Sequence, residues 1–241
     1  MAYGRKFAVF DIDGTLIRWQ LYHALTDEMA KQGYINQANY AKMRHARMEW
    51  KKRAGTSFKD YEHYVIQNYN SVIKSLDFKQ LDRAIDAVFK EYKDQTYTYT
   101  RDLIAKLKDE GYLLFAISGS QVEIVSKISS YYGFDDYVGS IYERTASGFS
   151  GQRTTGALDK DKSLKAMVDK HSADYRNSVA VGDSHSDIAM LELVERPIAF
   201  NPEQSLFDHA KDKGWTIVIE RKNVVFELEY ADGGYKLAKT S

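Results

Sequence analysis

Apolar positions along this chain follow two spacings. Phe7-Ala8-Val9-Phe10, Leu113-Leu114-Phe115-Ala116-Ile117 and Val179-Ala180-Val181 after Ser178 are short and unbroken, the pattern of strands buried on both faces. Elsewhere apolar residues recur every three or four positions, as helices require: Met43, Ala46, Trp50 and Ala54; Leu76, Leu81, Ile85, Val88 and Phe89; Val122, Val125 and Ile128 with Ser129. Residues 20–94 contain no convincing strand and read as three or four helices. Beyond residue 98 the spacing predicts helix over 98–110, strand over 113–117 and helix over 120–132. A strand, a helix and a strand follow; that helix opens at Lys160 and Lys162 and runs through Leu164, Met167 and Val168. Ile198-Ala199-Phe200 (bracketed by Pro197 and Pro202) and 215–219 read as later strands, and 222–229 as a closing helix. Alternating helix and strand predicts an α/β fold with a parallel sheet covered by helices. The helical block is inserted between the first and second core strands.

At 241 residues the chain exceeds a typical single domain. We expect an α/β core over 1–18 and 95–241, with a helical insertion over 19–94. Lys plus Arg and Asp plus Glu balance at 34 each, which argues against a nucleic-acid partner. With no cysteine there is no disulfide framework, thiol nucleophile or zinc-thiolate site. The apolar runs are well short of a membrane span. Met1-Ala2-Tyr3-Gly4-Arg5-Lys6 enters a core strand at once, leaving no room for a cleaved signal peptide. A cytoplasmic protein without a membrane partner is the expectation; oligomeric state is not legible.

The candidate chemistry sits at the strand tips. Asp11-Ile12-Asp13-Gly14-Thr15 places two carboxylates two residues apart behind the first run, so in extended chain both face one pocket. Such a pair suits a divalent metal, or a nucleophile with its own acid/base partner. A calcium loop fails, because its twelfth position needs Glu and here is Tyr22. The second run ends in Ser118-Gly119-Ser120 and the third in Gly182-Asp183-Ser184-His185-Ser186-Asp187. In an open α/β sheet, ligands bind at the carboxyl ends of strands, so these groups can meet in one crevice.

In this order the segments resemble the haloacid dehalogenase superfamily of phosphotransferases, in the branch containing phosphoserine phosphatase. The matching positions are Asp11 to Thr15, Ser118, Lys160 and Gly182 to Asp187. The resemblance implies a Rossmann-like core with a mobile helical cap, and a Mg²⁺-dependent phosphatase acting on a small phosphorylated metabolite. Asp11 would be the nucleophile and Asp13 the acid/base. Asp11, the Asp13 carbonyl and Asp183 would hold Mg²⁺, with Asp187 orienting a metal-bound water or the lysine. Thr15 and Ser118, with the amides of Gly14 and Gly119, would bind the phosphoryl oxygens, and Lys160 would neutralise charge. Lys162 is the alternative motif lysine. A carboxylate at Asp13 separates the chain from the dehalogenases and from the cation-pumping ATPases. Transfer to an acceptor other than water, and phosphate binding without turnover, are the competing functions.

Two positions argue against phosphoserine as substrate. Gln20 stands where the phosphoserine enzymes carry the Glu that holds the amine, and Val65 or Tyr64 where they carry a carboxylate-binding Arg. The insertion is rich in tyrosine (Tyr22, Tyr34, Tyr40, Tyr61, Tyr64, Tyr69 and Tyr92), which reads either as interhelical packing or as an aromatic pocket. Arg44, Arg47 and Lys51 read as a solvated helix face, and His185 as a surface residue.

Overall fold

The computed structural model describes residues 4–52 and 58–241. Ala54, the last position of the Met43 stripe, lies outside them. The chain runs β1 (Arg5–Phe10), α1 (Leu21–Lys31), α2 (Gln37–Lys51), α3 (Phe58–Ile73), α4 (Phe78–Tyr92) and α5 (Thr98–Asp109). It continues with β2 (Leu113–Gln121), α6 (Val122–Tyr132), β3 (Asp136–Arg144), β4 (Phe149–Thr155), α7 (Lys160–His171) and β5 (Ala173–Gly182). The last part is α8 (Ile188–Leu191), β6 (Arg196–Phe200), α9 (Gln204–Lys213), β7 (Thr216–Arg221), β8 (Val224–Ala231) and β9 (Gly234–Thr240).

The strands lie in the order β4-β3-β2-β1-β5-β6-β7-β8-β9. β1 is flanked by β2 and β5, all parallel, with Val9 opposite Phe115 on one side and Ala180 on the other. Chain order runs outward in both directions from β1. It is therefore the switch point of the sheet, where the tips of β1, β2 and β5 open a crevice. The apolar runs explain the centre: Phe7, Val9, Phe115, Ile117 and Ala180 are buried against Leu164 and Met167 of α7 and Leu206 of α9. No helix among the described residues is long and apolar enough to cross a membrane.

Compactness divides the chain into two units. One holds 1–18, 93–140 and 155–241, and the other Trp19–Tyr92 with Ile141–Thr154. Helices α1 to α4 thus fall between β1 and β2 in sequence and pack as a unit of their own. Its core includes Met43, Tyr61 and Val65, with Ala46, Trp50 and Tyr64 packed against them. Tyr22, Tyr61 and Tyr69 are buried, and the Tyr22 ring meets Tyr69 at 5.0 Å edge-on. Ile141–Thr154, assigned above to the core, groups with these helices instead.

Two expectations are corrected. Residues 222–229 hold a turn and then most of strand β8 (Val224–Ala231) rather than a closing helix. Arg221 pairs with Val224 and Ala231 with Gly234, so both turns are two-residue loops. Lys222 (φ 56°), Asp232 (φ 51°) and Gly233 (φ 83°) take the left-handed backbone such loops need. β2 runs on to Gln121 and α6 begins only at Val122, which leaves Ser118 to Ser120 on extended chain.

Candidate active site

The site lies wholly within the α/β unit, where Asp11 follows the tip of β1. Its amide donates to the Val181 carbonyl of β5 at 3.0 Å, continuing the sheet one residue past the strand. The chain then turns sharply, with the Leu16 and Ile17 amides returning to the Ile12 carbonyl at 3.0 and 2.8 Å. Gly14 makes this turn at φ +83°, and a Cβ there would stand 2.2 Å from Asp183 Oδ2. Glycine is required on both counts. Its N–H, expected to be available to a phosphoryl oxygen, donates to the Ile17 carbonyl at 2.9 Å. Gly14 therefore contributes the turn and the close approach of Asp183.

Asp13 faces the tip of β2. Ser118 Oγ donates to one of its oxygens at 2.6 Å and Ser120 Oγ to the other at 3.0 Å. The Ser120 amide donates to Ser118 Oγ at 2.9 Å. Ser120 was not singled out in the sequence, where it read as the start of a helix. On extended chain, residues two apart share a face, so both serines reach the same carboxylate. Gly119 lies between them, and its carbonyl accepts from Ser140 Oγ at 2.6 Å. Thr15 is buried; its hydroxyl lies 3.5 Å from Asp183 Oδ1, and its carbonyl accepts from Thr100 at 2.8 Å.

Lys160 opens α7 and is buried between two acids. Its Nζ donates to Asp11 Oδ1 at 2.7 Å, Asp187 Oδ1 at 2.5 Å and the Ile117 carbonyl at 3.2 Å. Lys162, its alternative, is exposed and pairs with Asp159 at 3.1 Å. Asp187 is fully buried. Its second oxygen accepts from the Asp183 and Ser184 amides at 3.1 and 2.9 Å and from Ser184 Oγ at 3.0 Å. It thus folds the β5 tip into the turn that presents Asp183. His185 is exposed on that turn.

Asp11, Asp183 and Asp187 each offer a carboxylate oxygen within 4.8 Å of the others. Burial, then the negative charges of Asp187 and Asp13, push Asp11 up to about 7 against the pull of Lys160. Burial and the charges of Asp11 and Asp187 likewise raise Asp183 well above the usual carboxylate range. One ammonium does not offset this much buried negative charge. All-oxygen donors that repel one another in this way fit a hard divalent cation.

The family model for haloacid dehalogenase-like hydrolases matches residues 8–192. A phosphoserine phosphatase of Archaeoglobus fulgidus is 24% identical over 209 residues, covering 86% of this chain and 55% of that protein. This chain thus spans about half of that relative's length. Among solved structures, a Bordetella pertussis Tohama I protein of unknown function superposes with TM-score 0.73 at 19% identity, over 90% of this chain and 99% of that one. A substrate-bound phosphoserine phosphatase superposes with TM-score 0.64 at 21% identity, over 92% and 96%. At these identities the superpositions speak for the fold.

Proposed function

Because the chain belongs to the haloacid dehalogenase-like hydrolase family, we propose that it is a phosphatase that cleaves a small phosphomonoester through a phosphorylated Asp11. The observation that carries this reading is the buried Asp11 carboxylate, bonded to Lys160 at 2.7 Å and within 4.8 Å of Asp183 and Asp187. Lys160 holds Oδ1, which leaves the other oxygen of Asp11 to attack phosphorus. As that bond forms, the ester P–O bond breaks and the leaving alkoxide takes a proton from Asp13. Asp13 then deprotonates the water that hydrolyses the aspartyl-phosphate. Ser118 and Ser120 would keep the Asp13 carboxylate in one orientation for both transfers, and Ser118 with Thr15 and Gly119 would hold the phosphoryl oxygens. Lys160 neutralises charge that grows in the transition state.

Asp11, the Asp13 carbonyl and Asp183 would hold Mg²⁺, with Asp187 tying Lys160 and the Asp183 turn together. Bound there, the cation would neutralise phosphoryl charge and orient the phosphate for in-line attack. The substrate differs from phosphoserine on this reading. Gln20, which precedes α1 and makes no side-chain cap bond, carries no charge for an ammonium group. Val65 is fully buried and Tyr64 packs beside it, so neither supplies an arginine's charge.

Phosphate release from a panel of phosphomonoesters, with Mg²⁺ and then with EDTA, tests the proposal. Release that needs Mg²⁺ and is absent in Asp11→Asn supports it. Activity that survives Asp11→Asn overturns it.

A further inference from the structure

Away from the catalytic crevice, and wholly within the α/β unit, a cleft of about 470 Å³ opens beside the starts of β6 and β7. The end of α9, part of β8 and Tyr99 of α5 complete its walls. It lies at the other end of the parallel strands from the catalytic residues. Arg196 opens β6 opposite Val179, four residues before Asp183. Small-molecule sites occupy roughly 300–1,000 Å³, so the cleft has the size of a ligand site.

The sheet register decides which side chains share this face. Thr216 pairs with Ile198, and Val218 lies between Phe200 and Glu227. Cross-strand partners project to the same side, and so do residues two apart. Arg196 of β6, Thr216 of β7 and Glu227 and Glu229 of β8 therefore stand on one face. Tyr99 covers part of it, its ring stacked on that of Phe200 at 5.8 Å. β7 separates Arg196 from the two acids by two strand spacings, about 9–10 Å, which leaves a gap between opposite charges.

Other charges around the cleft are already matched. Lys213 pairs with Glu192 at 3.4 Å, Glu227 pairs with Lys239 at 3.5 Å, and Glu195 accepts from the Asn177 amide at 2.7 Å. Among the described residues, Arg196 and Glu229 have no ion-pair partner and the Tyr99 hydroxyl has no hydrogen-bond partner. Burial and then the charge of Glu227 push that hydroxyl upward while Arg196 opposes, so the phenol feels both sides of the gap. An anion alone in the cleft would meet Glu227 and Glu229, and a cation alone would meet Arg196. A molecule that carries both charges meets a partner on each side.

We propose that this cleft is a further ligand site, which binds a small zwitterion, a free α-amino acid. Its carboxylate sits on the flat guanidinium fork of Arg196, its ammonium on Glu229, and its side chain beside Tyr99 and Trp215. None of these residues has a part in the catalytic crevice, so the inference stands apart from the phosphatase reading and is tested by binding alone.

The test is isothermal titration of the full chain with L-alanine, L-leucine and L-phenylalanine, each to about 20 mM, a range that captures millimolar dissociation constants. At least one should bind, with one site per chain. Its amide, which lacks the carboxylate, and its hydroxy-acid analogue, which lacks the ammonium, should each bind at least ~10-fold more weakly, the scale of one charge-assisted hydrogen bond. Arg196→Met and Glu229→Gln should each weaken the amino acid by a similar factor. Arg196→Met should also cease to distinguish the amino acid from its amide, and Glu229→Gln from its hydroxy acid. Because these are ratios within one variant, a partly unfolded sample does not mimic them. No binding of any of the three, equal wild-type binding of either analogue, or binding that both variants leave intact overturns the proposal.

Discussion

Lys160 Nζ lies 2.7 Å from Asp11 Oδ1 although 149 residues separate them in sequence. Both side chains are buried, and the same ammonium reaches Asp187. Removing the lysine leaves buried acids with no cation among them, a change that typically destabilises by about 3–5 kcal/mol unless they protonate. Lys160→Met should therefore lower kcat by at least ~100-fold and reduce stability, seen as a lower urea midpoint. Lys162→Met, at an exposed pair with Asp159, should stay within about 0.5 kcal/mol of wild type. Reversed outcomes would make Lys162 the functional lysine.

What was legible in the sequence follows from burial. The runs behind Asp11, Ser118 and Asp183 are unbroken because β1, β2 and β5 are central and covered on both faces, so they could be read as strand tips in one crevice. β8 was misread because it is an outer strand in which Val225 is buried and Phe226 and Tyr230 are exposed, a pattern that gives no clear period. Its hairpin signal, Asp232-Gly233, was nonetheless present. Ser120 was missed because a boundary error of two residues put it on a helix, where it would have turned away from Ser118.

Ser120 offers a second check. Its hydroxyl donates 3.0 Å to Asp13 Oδ1, opposite the Ser118 contact. Ser120→Ala should keep the fold and lower kcat by roughly 10-fold, with a smaller change in KM, since a hydrogen bond to a charged group is worth ~1.5–3 kcal/mol. A KM effect with kcat unchanged would place Ser120 in substrate binding and remove its role in orienting the acid/base.

Asp183 can be separated from the chemistry by following stability alone. Among Asp11, Asp183 and Asp187 a divalent cation relieves repulsion, so Mg²⁺ should raise the thermal midpoint. The gain should approach ~2.7 kcal/mol at a hundred times the dissociation constant. In Asp183→Asn the cation has one anionic ligand fewer, while the metal-free protein loses a repulsive charge. That variant should match or exceed the metal-free wild type and gain little from Mg²⁺. Equal Mg²⁺ stabilisation of both proteins would put the cation elsewhere.

The helical unit has its own pH signature in His23. This histidine is buried, its ring 4.9 Å from that of Tyr61. Burial, then the positive charge of Arg47, pushes it down to about 3 from 6.5, with Lys51 acting in the same direction and Asp27 opposing. The folded protein therefore keeps His23 neutral between these values, while the unfolded chain protonates it below 6.5. The unfolded state binds more protons throughout that window, so the contribution is fully present above pH 6.5 and declines as pH falls toward 3. One unit corresponds to about 1.4 kcal/mol, so between pH 7 and pH 5 the wild type should lose about 2 kcal/mol through this residue. His23→Gln cannot titrate, and its urea unfolding should show a pH dependence shallower by about that amount, whatever its stability at pH 7. Parallel pH profiles for the two proteins would mean that His23 accepts a proton in the folded state, through water entry or a local opening of α1.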